Sequence, residues 1–187
     1  MNSVRKTVIG IIGPIGSGKD TAAEYVAEKL HVSYFQISAP LKDIVRERGL
    51  EPTRENLVTL GRATAREFGA EYLAKILLSK IKDVGVISGM RQLAQIDYLR
   101  NNARLILVAV DAEPRIRFQR SKGRGKLGEA TTLKSFVEKE RAENSAPHVQ
   151  RLFECMKLAD ELVANDLDVR SFYRKLDEML VRNHVKE

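Results

Sequence analysis

The residues best suited to chemistry stand together near the start of the chain: Gly13, Pro14, Ile15, Gly16, Ser17, Gly18, Lys19, Asp20 and Thr21. Glycines at this spacing let the backbone turn with positive φ and bring amide N–H groups close to phosphate oxygens. The lysine adds a mobile cation for the outer phosphates of a nucleotide. The usual motif has Ser or Thr directly after the lysine, as a magnesium ligand. Here that place holds Asp20, a carboxylate that can meet the ion directly or through water, and Thr21 follows as a second metal candidate. The same aspartate would also neutralise the dipole of a helix that begins there.

Such a loop works only between a strand and a helix, so the neighbouring elements decide its meaning. "TVIGII" (7–12) reads as a buried strand, and "KDTAAEYVAEKL" (19–30) places Ala22, Ala23, Val26, Ala27 and Leu30 at helical spacing. Four more runs read as strands: 32–37, 84–88, 104–110 and 160–165. Between them lie helical patterns. Thr53 is the expected N-cap of one, which stops at Gly69, and Asp168 is the expected N-cap of the last. "APHVQRLFECMKLA" (146–159) reads as one helix and the glycine-rich 122–131 as a loop. Strands alternating with helices predict a parallel sheet with helices on both faces. The long stretch between the second and third strands predicts a helical cap over the carboxyl edge, where such sheets bind ligands.

Composition restricts the partners. The chain has 187 residues, 43% hydrophobic and 30% charged, as in an ordinary globular domain. No apolar run approaches a membrane span of about 20 residues, and the N-terminal run lacks the features of a signal peptide. Cys155 is the one cysteine, which excludes an internal disulfide and a cysteine zinc cluster. A cytoplasmic location is the default. The net charge of +7 suits small polyanions as well as nucleic acid. The densest basic group, "RSKGRGK" (120–126), contains no aromatic residue, which favours phosphate over stacked bases. His31, His148 and His184 are isolated and assemble no catalytic group.

"GPIGSGKDT" resembles the G-x-x-G-x-G-K-x-T form of the adenylate kinase group, and the layout is similar to P-loop nucleoside monophosphate kinases along the whole chain. The resemblance implies an α/β three-layer kinase fold with a five-stranded parallel sheet. It implies a core over 1–37, 84–121 and 132–187, a helical acceptor-binding insertion at about 38–83 and a short lid at about 122–131. The cofactors it implies are ATP and Mg2+. "VISGMRQ" is similar to the third strand of that family, so Arg91 takes the role of holding the acceptor's phosphate. Ser88 stands where the family has aspartate. "EPRIRFQRSKGR" resembles the segment whose arginines meet the adenine (Arg120) and act from the lid (Arg124), with Arg141 in "KERAEN" as a further lid candidate. "LVANDLD" resembles the turn beside the adenine, which places Asn165 there. Arg62 and Arg66 lie four apart on the expected acceptor helix, and Arg66 is preferred.

The implied function is phosphoryl transfer from ATP to a (deoxy)nucleoside monophosphate. Dephospho-coenzyme A kinases share the layout but carry D-x-D after the second strand, where this chain reads "ISAPLKD". The alternative from another class is a degenerate, nucleotide-dependent switch that assists RNA or ribosome assembly. The motif by itself does not name the acceptor.

Overall fold

Strand β1 (Thr7–Ile12) is buried at every residue from Val8 onward. It has neighbours on both sides in a five-stranded sheet of order β2-β3-β1-β4-β5. The others are β2 (Ser33–Gln36), β3 (Val84–Ser88), β4 (Arg104–Asp111) and β5 (Glu161–Ala164), and every pairing is parallel. Successive side chains of β1 point to opposite faces. Ile9 and Ile11 meet Ala22, Ala23 and Val26 of α1 (Lys19–Lys29) and Phe172, Leu176 and Met179 of α9 (Val169–Arg182). Val8 and Ile12 meet the opposite layer, formed by α4 (Tyr72–Lys80), α5 (Leu93–Asn102) and α8 (Leu152–Lys157). Fully burying each such aliphatic side chain contributes about 1.5–3 kcal/mol. An apolar run without alternation is thus what a central, doubly covered strand requires.

The computed structural model describes residues 5–123, 130–145 and 151–185. Most of the expected lid, Arg124 included, lies outside them, as do residues 146–150 of the expected 146–159 helix. The described part of that stretch is helical only at α8. The remaining helices are α2 (Ala39–Glu47), α3 (Arg54–Phe68), α6 (Pro114–Gly123) and α7 (Leu133–Ser145). Among the described residues, no helix is long and apolar enough to cross a membrane.

Helix ends follow local rules. The Thr53 hydroxyl accepts from the N–H of Asn56 at 3.2 Å. Asp168 accepts from the N–H groups of Arg170 and Ser171 at 2.9 and 3.0 Å. Both are N-caps, which satisfy donors that the first turn leaves without partners. The stretch expected as one cap, 38–83, divides physically. Helix α4 buries Ala74, Leu77 and Leu78 in the core with Val8 and Ile12. Helices α2 and α3 pack on each other. Among the described side chains of α3, only Thr64 is buried. Helix α2 buries Pro40, Leu41 and Val45, so within 38–83 the least buried helix is α3.

From β1 the chain goes to β2 and β3 on one side of it, and then crosses back to β4 and β5 on the other. This reversal opens a crevice beyond the carboxyl end of β1, the usual ligand position in open α/β sheets.

Candidate nucleotide and acceptor site

The crevice begins where β1 gives way to the glycine loop. Gly16 and Gly18 have φ of +78° and +95°, a region where side chains are strained. Space forbids a side chain there as well. A Cβ on Gly16 would lie 2.5 Å from the Arg117 carbonyl oxygen, and one on Gly18 would lie 2.3 Å from Asn165 Nδ2. The loop is thus seated on α6 and on the turn after β5. Asn165 is buried, and its Nδ2 donates to the Ser17 carbonyl at 2.8 Å. Ser17 is fully buried, and its Oγ accepts from Lys19 N–H at 3.3 Å. Gly18 is the N-cap residue of α1 and supplies no side-chain cap. Beyond the long contact of Lys19 N–H with Ser17 Oγ, the first turn has no side-chain cap, which leaves its N-terminus for an anion, with the helix dipole behind it.

Lys19 Nζ lies 3.3 Å from Asp20 Oδ2, and the two side chains are 13% and 37% exposed. The lysine side chain is thus largely covered where it stands beside Asp20. Across the crevice, Ser88 ends β3 and is fully buried. Its Oγ lies 2.9 Å from the hydroxyl of Tyr34 on β2. Burial pushes the Tyr34 phenol above its ordinary pKa, hydrogen bonds with Ser88 and Gln36 oppose this, and the carboxylates of Asp20 and Glu24 add to the rise. The phenol therefore stays protonated near neutral pH. Gln36 pairs in register with Ser88. Its Oε1 accepts from Lys42 Nζ at 2.7 Å, which draws a half-buried ammonium from α2 back to the sheet edge.

Arg91 follows β3 and is half-buried. Its N–H donates to Gln95 Oε1 at 3.1 Å, and its carbonyl accepts from Arg151 N–H at 2.8 Å. The backbone at the end of β3 is thereby held from α5 and from the start of α8. The other expected residues are placed unequally. Arg120 is half-buried on α6, with Nη2 3.5 Å from Asn165 Oδ1. Arg66 and Arg62 are exposed on α3, and Arg141 is exposed on α7. Asn165, expected beside a base, spends its amide group on the loop. Thr21 sits about 100° around α1 from Asp20 and lines a surface cavity with Glu24, Tyr25, Glu28, Lys29 and Tyr173.

Among the described residues, no group of three or more His, Cys, Asp or Glu side chains could enclose a metal. Magnesium in phosphoryl-transfer sites needs only one or two protein carboxylates, and takes its other ligands from phosphates and water. Asp20 supplies one such carboxylate, and the Tyr34 hydroxyl, bonded to the sealed Ser88 Oγ, supplies a neutral oxygen at the end of β3, which fits that donor chemistry. We expect Asp20→Asn to raise the magnesium concentration at half-maximal activity about 10-fold or more, with little change in ATP KM at saturating magnesium. An unchanged magnesium titration would leave Asp20 as a helix-end charge only.

Sequence reading missed Arg117 and Glu140. Arg117 is buried in α6 and Glu140 is buried in α7. The guanidinium forms a two-pronged pair with the carboxylate, with Nη2–Oε2 at 3.0 Å. It also donates from Nε to the Ala112 carbonyl at 2.9 Å and lies over the Phe136 ring at 5.9 Å. Since the Arg117 backbone seats Gly16, this pair ties the glycine loop to the helix that follows the expected lid. No periodic signal could have found it, because both residues read as members of charged, solvated faces.

The AAA domain family matches residues 9–145. A UPF0200 protein of Hyperthermus butylicus is 28% identical over 186 residues, which covers 97% of each chain. UPF0200 protein MJ1399 of Methanocaldococcus jannaschii is 30% identical over 179 residues, covering 92% of this chain and 88% of that one. Among solved structures, shikimate kinase from Acinetobacter baumannii in complex with shikimate is similar, with a TM-score of 0.61 at 15% identity over 97% of this chain and 96% of that one. That likeness concerns the fold. The phosphate-type loop between β1 and α1, the five-stranded parallel sheet and these matches together make the chain a member of the AAA domain family and of the UPF0200 proteins, with a P-loop kinase-like nucleotide-binding fold.

Proposed function

We propose that the chain transfers a phosphoryl group from ATP, with magnesium, to a small phosphorylated acceptor, a (deoxy)nucleoside monophosphate. One observation carries this reading. The carboxyl ends of β2 and β3 present Gln36, Ser88, Lys42 and Arg91, and residues 36–42 and 88–96 include no carboxylate. A hydroxyl acceptor calls for a general base at this place. A phosphate acceptor arrives already anionic and needs cations and positioning instead. The same absence disfavours a dephospho-coenzyme A kinase, whose acceptor is a hydroxyl.

In this reading the amides of residues 13–21 and Lys19 hold the outer phosphates of ATP, and Asp20 orients the magnesium ion. The ion supplies neutralisation of the charge that builds up between the phosphates. Arg91 and Lys42 hold the acceptor phosphate, and Arg66 reaches it from the α3 cap. Arg120 and Asn165 border the adenosine side, and Arg124 and Arg141 act on closure of the lid. We place the reaction in the cytoplasm. Burial pushes the Cys155 thiol up to about 11, so it stays unreactive there. A second reading, a nucleotide-dependent switch without acceptor turnover, draws on Ser88, whose neutral hydroxyl is sealed against Tyr34.

The test is a screen of ATP and magnesium against nucleoside and deoxynucleoside monophosphates and dephospho-coenzyme A, read as ADP release. Acceptor-dependent ADP with a monophosphate supports the kinase; tight ATP binding with no acceptor-dependent release supports the switch. With the acceptor identified, Arg91→Ala should lower kcat/KM for it about 10- to 150-fold, the value of one charge-assisted hydrogen bond. The loss should appear in acceptor KM, with ATP KM unchanged. A change confined to ATP parameters would move the acceptor away from the end of β3.

A further inference from the structure

The polar groups across the crevice from Asp20 have a direction. Ser88 Oγ is fully buried, and the Tyr34 hydroxyl is its hydrogen-bond partner at 2.9 Å. Tyr34 itself is half-buried, with its ring packed against the α1–α9 side of the core. Ser88 pairs in register with Ile11 of β1, so the phenol hydroxyl bonded to it lies at the sheet edge from which the glycine loop starts. Asp20 and Glu24 are one turn apart on α1, on the side whose charge reaches the phenol. A phenol has one proton to donate and lone pairs to accept. If the proton goes to Ser88, the phenol oxygen keeps its lone pairs as acceptors, one for the Gln36 amide and one for a further donor. Water molecules on magnesium donate hydrogen bonds and therefore need acceptors around them.

We propose that Tyr34 is a positioning residue for the divalent cation, with its hydroxyl proton committed to Ser88 Oγ and its lone pair accepting a hydrogen bond from a water of the cation's shell opposite Asp20. This rests on the nucleotide-site reading above and adds to it a neutral half of the metal site. Asp20 contributes charge from α1. The Tyr34–Ser88 pair contributes an oriented acceptor from the sheet, without a second carboxylate facing the first. Ser88 acts only through the phenol, since its own oxygen is sealed from the crevice. A neutral oxygen also avoids like-charge repulsion with Asp20 and Glu24 when no cation is present.

The experiment is titration calorimetry of ATP binding to the full chain in excess magnesium and in EDTA. The quantity read is the gain in affinity that magnesium brings. Tyr34→Phe is expected to reduce this gain about 3- to 10-fold, the range of one hydrogen bond, and to leave affinity in EDTA unchanged. Ser88→Ala should lose part of the gain. The double variant should lose no more than Tyr34→Phe alone, because the two residues act as one unit. Thermal melts accompany each variant, and Ser88→Ala carries the test if Tyr34→Phe does not fold. A full magnesium gain in whichever variant carries the test overturns the inference. So does an equal loss of affinity in both buffers, which would make the phenol a support for the loop rather than for the cation. Failure of the unaltered chain to bind ATP in either buffer overturns the nucleotide-site reading, and this inference with it.

Discussion

Lys19→Met is expected to lower kcat about 100- to 1000-fold, the usual cost of losing one preorganised donor at developing charge. Methionine retains the covered aliphatic stem and removes only the cationic head. The side chain is 13% exposed, and its ammonium group is 3.3 Å from Asp20. Without it, the outer phosphates lose a charge that no neighbouring amide replaces. The fold should persist, because α1 is held by Ala22, Ala23, Val26 and Ala27 in the core, and Asp20 keeps its favourable place at the helix N-terminus. Unfolding free energy should therefore change by less than about 1 kcal/mol. Steady-state kinetics beside a urea titration checks both halves. Turnover within a few-fold of the unaltered chain would remove the kinase reading, and a large loss of stability would make Lys19 structural.

Arg117→Met should have the largest effect on stability. Removing one partner of a buried, two-pronged ion pair leaves the Glu140 carboxylate buried without its counter-charge, at a cost of about 3–5 kcal/mol. For a chain of this size that lowers Tm by about 6–20 °C. Glu140→Gln should cost less, because Arg117 still has the Ala112 carbonyl at 2.9 Å and the Asp111 carboxylate at 3.4 Å. The double change Arg117→Met with Glu140→Leu should recover much of the loss, since it leaves no buried charge unpaired. Chemical denaturation of the unaltered chain, Arg117→Met, Glu140→Leu and the double change makes a double-mutant cycle, with Glu140→Gln measured beside it. Arg117→Met within about 1 kcal/mol of the unaltered chain would show that the pair is no clamp between α6 and α7. Because the Arg117 backbone seats Gly16, the same variant should also weaken ATP binding.

Much of the scaffold was legible in the sequence, and the reason is range. Helix periodicity, the Thr53 and Asp168 caps and the strand–loop–helix around Lys19 all depend on residues within about four positions of one another. The apolar runs of β1 and β4 announced a sheet covered on both faces. The glycines announced a tight turn, although the structure gives them a second reason. At Gly16 and Gly18 it is the protein's own Arg117 backbone and Asn165 amide that leave no room for a side chain.

Pairings between distant polar residues were decided by tertiary structure alone. Asn165 reaches Ser17 across 148 positions, Tyr34 reaches Ser88 across 54, and Arg117 reaches Glu140 across 23. None of these distances carries a periodic signal. They follow from the sheet order, which places β2 beside β3, from the turn after β5, which brings Asn165 to the glycine loop, and from the packing of α7 on α6. By itself, then, the sequence determined a parallel α/β scaffold with a phosphate loop at its first turn, because those features are local and repetitive. Which side chains complete the site was left to the tertiary structure, because a polar group inside a protein is placed by whatever partner the burial of two apolar layers brings within hydrogen-bond reach.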